Sequence, residues 1–205
     1  GADVASIVPR MAVGGSRLER TWSSQYRGSG ANRVKPYVCL ASLEKGDLEW
    51  FGDREDLQLT PEHYQDDGIQ RFVDVTPELM TLLGFYLAEG SCSDRNGIRL
   101  SIGKSNVRFA GEMAAAFKAV FGLDPKQYPI SRGAGELKLV NRVAALAWQH
   151  VFGYQSMDSL TKRIPDLVFN VDDPLRQAFL RGYMLGDGCV TSGRLVFSTS
   201  SRDVA

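Results

Sequence analysis

The chain has 205 residues, of which 43% are hydrophobic, and its 24 basic residues balance 24 acidic ones to a formal net charge of zero. That is enough length to bury a proper core, the composition is ordinary for a globular protein, and no stretch reads as a signal peptide or a membrane-spanning helix. Cys39, Cys92 and Cys189 share no metal-ligand spacing and the only histidines are His63 and His150, so zinc chemistry is poorly supported and a reduced, cytoplasmic setting is expected.

Residues 1–75 read as a lead segment with strands over 4–8 and 34–40, a Ser/Gly/Asn-rich loop at 23–32, and an acidic solvated linker at 53–67. The zero net charge hides two blocks. Residues 51–80 hold eight acids and two bases, whereas residues 91–165 hold eleven bases and five acids.

Thr76 and Pro77 then offer an N-cap and a first-turn proline for a short apolar helix, LLGFYLAEGS, at 82–91. Asp173 and Pro174 do the same before LRGYMLGDGC at 180–189. In the first, Gly84 precedes Glu89 by five positions, and in the second Gly182 precedes Asp187 by the same five. Gly90 and Gly188 are expected to take the left-handed position that ends each helix. Gly84 with Ala88, and Gly182 with Gly186, lie four apart and so share a helix face. Two such small-residue faces can pack closely, which would bring Glu89 and Asp187 side by side. A carboxylate in the last turn opposes the helix dipole at a cost of about 0.3 to 1 kcal/mol, so two in one register ask for a cation. Taken singly, each segment is a core helix with a capping acid; the repeat in identical register points to function.

Between the motifs, Ile98, Leu100 and Ile102 alternate with Arg99, Ser101 and Gly103, a half-buried strand. Ser105 and Asn106 open a helix whose Val107, Ala110, Ala114, Phe117 and Phe121 read as core, with a stop at Gly122. A hairpin follows, with Tyr128 and Ile130 before a turn at Gly133, Ala134 and Gly135, and Leu137 and Leu139 after it. Asn141 caps a helix carrying Val143, Leu146, Ala147 and Val151; His150 in it reads as structural or partly exposed. The unit is helix, two strands, helix, two strands, helix. After Asp187 the pattern restarts with a strand at 194–199 and the chain ends at Ala205, so the second copy reads as truncated. Arg95, Arg99, Lys104, Arg132 and Lys138 lie on or beside the strands; each singly is a solvated charge, and with Ser101 as a set they suit phosphate contacts.

The paired motifs at 82–90 and 180–188 resemble the LAGLIDADG homing endonucleases, and Lys162-Arg163-Ile164-Pro165 is similar to a stretch found in endonucleases carried inside inteins, the DOD type. The opening GADVASIVPRM resembles the strand that leads out of an intein's splicing domain. The resemblance implies an α+β fold, the LAGLIDADG saddle, with the αββαββα repeat complete at 76–175, a truncated second repeat at 176–205, and 1–75 as the end of a splicing region plus linker. It implies double-strand DNA cleavage, Mg2+ held by Glu89 and Asp187 as catalytic acids, and Lys162 polarising water or stabilising phosphorane-like charge; the alternative for Lys162 is a surface lysine flanking a loop. Double-stranded DNA and the missing second half of the chain are the implied partners. Two other outcomes on the same fold are a non-catalytic DNA-binding regulator and an intron-encoded RNA maturase.

Overall fold

The computed structural model describes residues 1–4, 58–59, 68–93, 96–131, 134–154 and 159–205. Two small ladders lead in. β1 (Ala2–Asp3) pairs antiparallel with β4 (Phe72–Val73), and β2 (Gln58–Leu59) pairs with β3 (Ile69–Gln70). The Arg71 guanidinium donates to both Asp3 carboxylate oxygens at 3.1 and 2.9 Å, so the start of the chain is fastened just ahead of the first motif helix. The strand expected over 4–8 lies outside the described residues except for Val4, and β1 precedes it; the strand expected over 34–40 and the loop at 23–32 lie outside as well. Within the expected acidic linker, Leu59 is buried in β2, so at that point the run is a strand on the core rather than solvated chain.

Helix α1 (Pro77–Glu89) starts where the Thr76 hydroxyl accepts the Leu79 N–H at 3.3 Å, with Pro77 at a position that needs no N–H. Every residue from Leu79 to Leu87 is buried, so the helix is central and apolar all round. Beside it lies α5 (Asp173–Asp187). Its cap is Asp172, whose carboxylate accepts the Leu175 N–H at 3.3 Å, not Asp173 as expected. Asp173 is already helical and pairs instead with Arg176 one turn on.

From α1 the chain passes without a loop into a four-stranded antiparallel sheet ordered β5 (Gly90–Ser93), β6 (Gly97–Gly103), β8 (Ala134–Leu139), β7 (Lys126–Ser131). Ile98, Leu100, Ile102, Leu137 and Leu139 point into the core beneath α1, α2 (Ala110–Phe121) and α3 (Arg142–His150). The alternation of period two in β6 is therefore the core boundary itself. The expected turn at residues 133–135 is displaced, because Ala134 and Gly135 already pair in β8, opposite Gly103 and Ile102.

α2 follows a single 3-10 turn, Val107–Phe109. That turn throws Val107 off the helical period, and it is 44% exposed rather than core; Ala110, Phe117 and Phe121 are buried and Ala114 partly so. Gly122 ends α2 with φ 73°, a left-handed position that favours glycine. Asn141 caps α3 through its side-chain oxygen, which accepts the Ala144 N–H at 2.9 Å, and His150 closes that helix half-buried. A one-turn helix, α4 (Asp166–Phe169), leads to α5.

After α5, β9 (Gly188–Thr191) and β10 (Arg194–Phe197) form a hairpin matching β5 and β6. Among the described residues it pairs only with itself, and its Val190, Leu195, Val196 and Phe197 are exposed. No helix among the described residues is long and apolar enough to cross a membrane.

Candidate active site

Gly84 and Gly182 set the spacing of α1 and α5. A Cβ on Gly84 would stand 2.0 Å from the Phe179 carbonyl oxygen, and one on Gly182 would stand 2.0 Å from that of Thr81. Gly186 faces Ala88, where a Cβ would meet the Ala88 methyl at 2.3 Å and the Glu89 Cγ at 3.2 Å. The two backbones are thus in contact along the small-residue faces. The helices consequently deliver Glu89 and Asp187 to one place.

Gly90 and Gly188 have extended backbones, φ −94° with ψ 155° and φ −87° with ψ 147°, not the left-handed conformation expected. The chain goes straight from helix into strand at both points, so no reversal is needed. What excludes a side chain is space. A Cβ at Gly90 would lie 2.1 Å from the Tyr86 ring, and one at Gly188 would lie 2.3 Å from the Met184 sulfur.

A positive charge close enough to act on both carboxylates comes from Lys162. Its side chain is buried, with Nζ donating to the carbonyls of Tyr86 and Leu87 at 3.0 Å each and lying 5.3 Å from the Tyr86 ring centre. It therefore caps the last turn of α1 from the side, where the helix dipole is negative. A surface lysine flanking a loop does not describe it. Its own carbonyl accepts the Ser201 hydroxyl, which ties the segment after β10 to the site. A hollow of about 390 Å³ opens here, lined by Ala88, Lys162, Asp187, Ser198, Thr199 and Ser200 among others.

The electrostatics follow from this packing. Burial raises the pKa of Glu89, and neighbouring Asp187 raises it further, while Lys162 and a hydrogen bond from Asn106 pull it back. Asp187 is raised by burial against the opposing pull of Lys162. Lys162 itself is lowered from 10.5 to about 8 by burial, though both carboxylates resist that shift. The native state therefore binds protons on the two acids more tightly than the unfolded chain does. Stability falls as pH rises from the ordinary carboxylate range through the raised values, and Lys162 adds stability as pH rises between about 8 and 10.5. In metal-free buffer, Glu89→Gln should melt above the parent protein at pH 7, with the gap closing once acid protonates both carboxyls. Equal melting at pH 7, followed by scanning calorimetry, would remove the repulsion.

Asn106 was legible only as a helix opener. It does not cap α2; its oxygen accepts the Gly103 N–H at 2.7 Å and its amide donates to Glu89 Oε1 at 2.9 Å.

Of the expected phosphate-contacting residues, Arg99, Ser101 and Lys138 lie on the outer face of the sheet. The register puts Ser91, Arg99, Lys138 and Lys126 in one row across β5, β6, β8 and β7, and Ser101, Glu136 and Tyr128 in the next. Lys126, two residues before Tyr128 on the same face of β7, extends the row beyond the residues expected from the sequence. Arg99 is held in place, with Nε donating to Ser91 Oγ at 2.9 Å and Nη1 to Glu136 at 3.1 Å. Lys104 is exposed beyond the end of β6. Arg95 and Arg132 lie outside the described residues.

Two carboxylates with a buried ammonium suit a hard divalent cation that keeps most of its waters and takes phosphate oxygens as further ligands. They do not suit one needing a full protein cage, since no cluster of three His, Cys, Asp or Glu side chains occurs among the described residues.

Among curated proteins the chain is similar to a DNA polymerase of Thermococcus hydrothermalis, 27% identical over 178 residues, which is 83% of this chain and 10% of that protein. It is also similar to a DNA polymerase of Thermococcus kodakarensis, 29% identical over 140 residues, or 65% of this chain and 8% of that one. The DNA polymerase II large subunit of the same organism is 27% identical over 121 residues, 58% of this chain and 6% of that subunit. The chain thus spans a tenth or less of the length of these relatives. Residues 174–205, which cover nearly all of α5 with the β9–β10 hairpin, match the sequence model of the LAGLIDADG-like domain family.

Proposed function

We propose that this chain is the homing-endonuclease part of an intein of the DOD type, cutting both strands of duplex DNA at a specific site. The observation that carries the reading is the pair of carboxylates, Glu89 and Asp187, brought together by two glycine-faced helices ending in the same register, with the Lys162 ammonium buried beside them. Similarity confined to a small fraction of a DNA polymerase's length is what an element inserted within such a protein gives, which supports the intein setting. The exposed apolar hairpin β9–β10 supports a second saddle half that covers it.

Glu89 and Asp187 would hold Mg2+, which when bound supplies charge neutralisation at the scissile phosphate and a water acidic enough to attack it. Each carboxylate serves one strand. Lys162, fixed by two carbonyls, keeps a positive charge where the phosphate gains negative charge as the water adds and the 3′ oxygen departs. Ser91, Arg99, Ser101 and Lys138 on the outer face of the sheet, with Lys104 beyond the end of β6, would meet the phosphates and base edges of the duplex.

The test is to incubate the complete protein, containing both halves, with a plasmid carrying its host gene without the insertion, in Mg2+. Linear product with staggered ends supports the reading. Tight duplex binding with no cut in Mg2+ or Mn2+ would instead make it a DNA-binding regulator, and a preference for structured RNA would make it a maturase. In the same system Arg99→Ala should weaken duplex affinity and flatten the slope of log K against log salt by about 0.9, the value of one phosphate contact. A slope equal to the parent's would take Arg99 off the phosphate backbone.

A further inference from the structure

The geometry around β6 points to Asn106 as a positioning residue for the Glu89 carboxylate. This rests on the nuclease reading for its purpose, though not for its geometry. Asn106 sits 17 residues beyond Glu89 in the chain and is 2% exposed, and its carboxamide spans two groups of opposite character. On one side is the Gly103 N–H, a donor, 2.7 Å from Oδ1; on the other is Glu89 Oε1, an acceptor, 2.9 Å from Nδ2. An amide turned the other way would set N–H against N–H and oxygen against carboxylate. Its orientation is therefore fixed by the backbone of β6, and the N–H it offers Glu89 cannot swing away.

That has two effects on the site. The donated hydrogen bond favours the ionised form of Glu89, opposing the burial and the Asp187 charge that disfavour it. It also orients the carboxylate by holding Oε1 toward the Asn106 amide. In a metal site, such outer partners of ligating carboxylates are worth about 10- to 100-fold in affinity.

The two halves differ in this respect. Gly90 pairs with Leu100 in β5–β6 and Gly188 pairs with Phe197 in β9–β10, so the residue corresponding to Asn106 is Asp203. Asp203 is exposed and has no N–H to donate from its carboxylate, and among the described residues Asp187 receives no side-chain amide. Glu89 alone is held in this way.

A double-mutant cycle on the complete protein tests this, with Mn2+ affinity followed by electron paramagnetic resonance and folding followed by thermal melting. Asn106→Ala should weaken Mn2+ binding on the order of tenfold in the parent background and leave it unchanged in the Glu89→Ala background. The melting loss should be larger in the parent background, which gives up the bond to Glu89 as well as the one from the Gly103 N–H common to both. Equal weakening in both backgrounds, or none in either, overturns the proposal. If the complete protein binds no Mn2+ at millimolar concentration even with duplex DNA present, the metal-dependent nuclease reading fails. The positioning role is then decided by the side-chain amide resonances of Asn106 in 15N-labelled protein. A large shift on Glu89→Ala upholds it and an unmoved pair of peaks overturns it. The same spectra decide the matter if Asn106→Ala does not fold.

Discussion

Glu89→Gln and Asp187→Asn, introduced singly into the complete protein, should each lower DNA cleavage by at least about 10³-fold, while duplex affinity in metal-free buffer stays within a few fold of the parent. One preorganised group acting on developing charge is worth about 10² to 10³ in rate, and in the proposed mechanism each of these carboxylates has a second task in holding a cation. Affinity should be spared because the residues proposed to meet phosphate, Arg99, Lys138 and their row, lie on the sheet face rather than at the helix ends. Both substitutions keep the size of the side chain, and both relieve a repulsion between groups whose pKa values burial has raised. Loss of activity should therefore come with a folded protein that melts no lower than the parent. Single-turnover cleavage with saturating enzyme makes the comparison, and full cutting by either variant would end the assignment of these two acids.

The sequence carried this site unevenly, for physical reasons. Glu89 and Asp187 stand out because helical geometry makes a four-residue spacing a shared face, so Gly84 with Ala88 and Gly182 with Gly186 can be read as surfaces without knowing the fold. The strand Gly97–Gly103 is equally plain, since one face is core and the other solvent. The ends of the elements were harder. Gly90 and Gly188 have the composition of a left-handed cap, but a glycine excluded by a neighbouring ring or thioether looks the same in sequence as one chosen for positive φ. Lys162 is more instructive still. A lysine before Ile164 and Pro165 has no periodicity to mark burial, and only the fold brings the carbonyls of Tyr86 and Leu87, 76 and 75 residues away, to its ammonium. Asn106 has the local signature of a helix opener, and the contact that gives it another task is again long-range. Side chains that answer a local need are legible; those that answer a tertiary one are not.

The largest effect on stability should come from adding one methyl group where α1 meets α5. In an ordinary helix Gly→Ala gains about 1 kcal/mol. At Gly84 the new Cβ would lie 2.0 Å from the Phe179 oxygen and 2.8 Å from the Tyr183 nitrogen; at Gly182 it would lie 2.0 Å from the Thr81 oxygen and 2.9 Å from the Phe85 nitrogen. These neighbours are backbone atoms of the other helix and cannot rotate aside, so the helices must separate. Overpacking of this kind costs about 1 to 3 kcal/mol and occasionally more, and a backbone collision belongs at the upper end. Gly84→Ala and Gly182→Ala should each therefore destabilise by about 2 to 3 kcal/mol net, a fall in melting temperature of roughly 5 to 10 °C for a chain of this size. Once one methyl has parted the helices, the second meets less resistance, so the double variant should lose less than the sum of the two. Gly111 supplies the control. It lies in α2 with nothing within 4 Å of its ideal Cβ, and Gly111→Ala should gain about 0.5 to 1 kcal/mol from reduced unfolded-state freedom. Calorimetric melting of the three single variants and the double variant decides it. If Gly84→Ala melts as high as Gly111→Ala, the helices are not held in backbone contact, and the close approach of Glu89 to Asp187 loses its foundation.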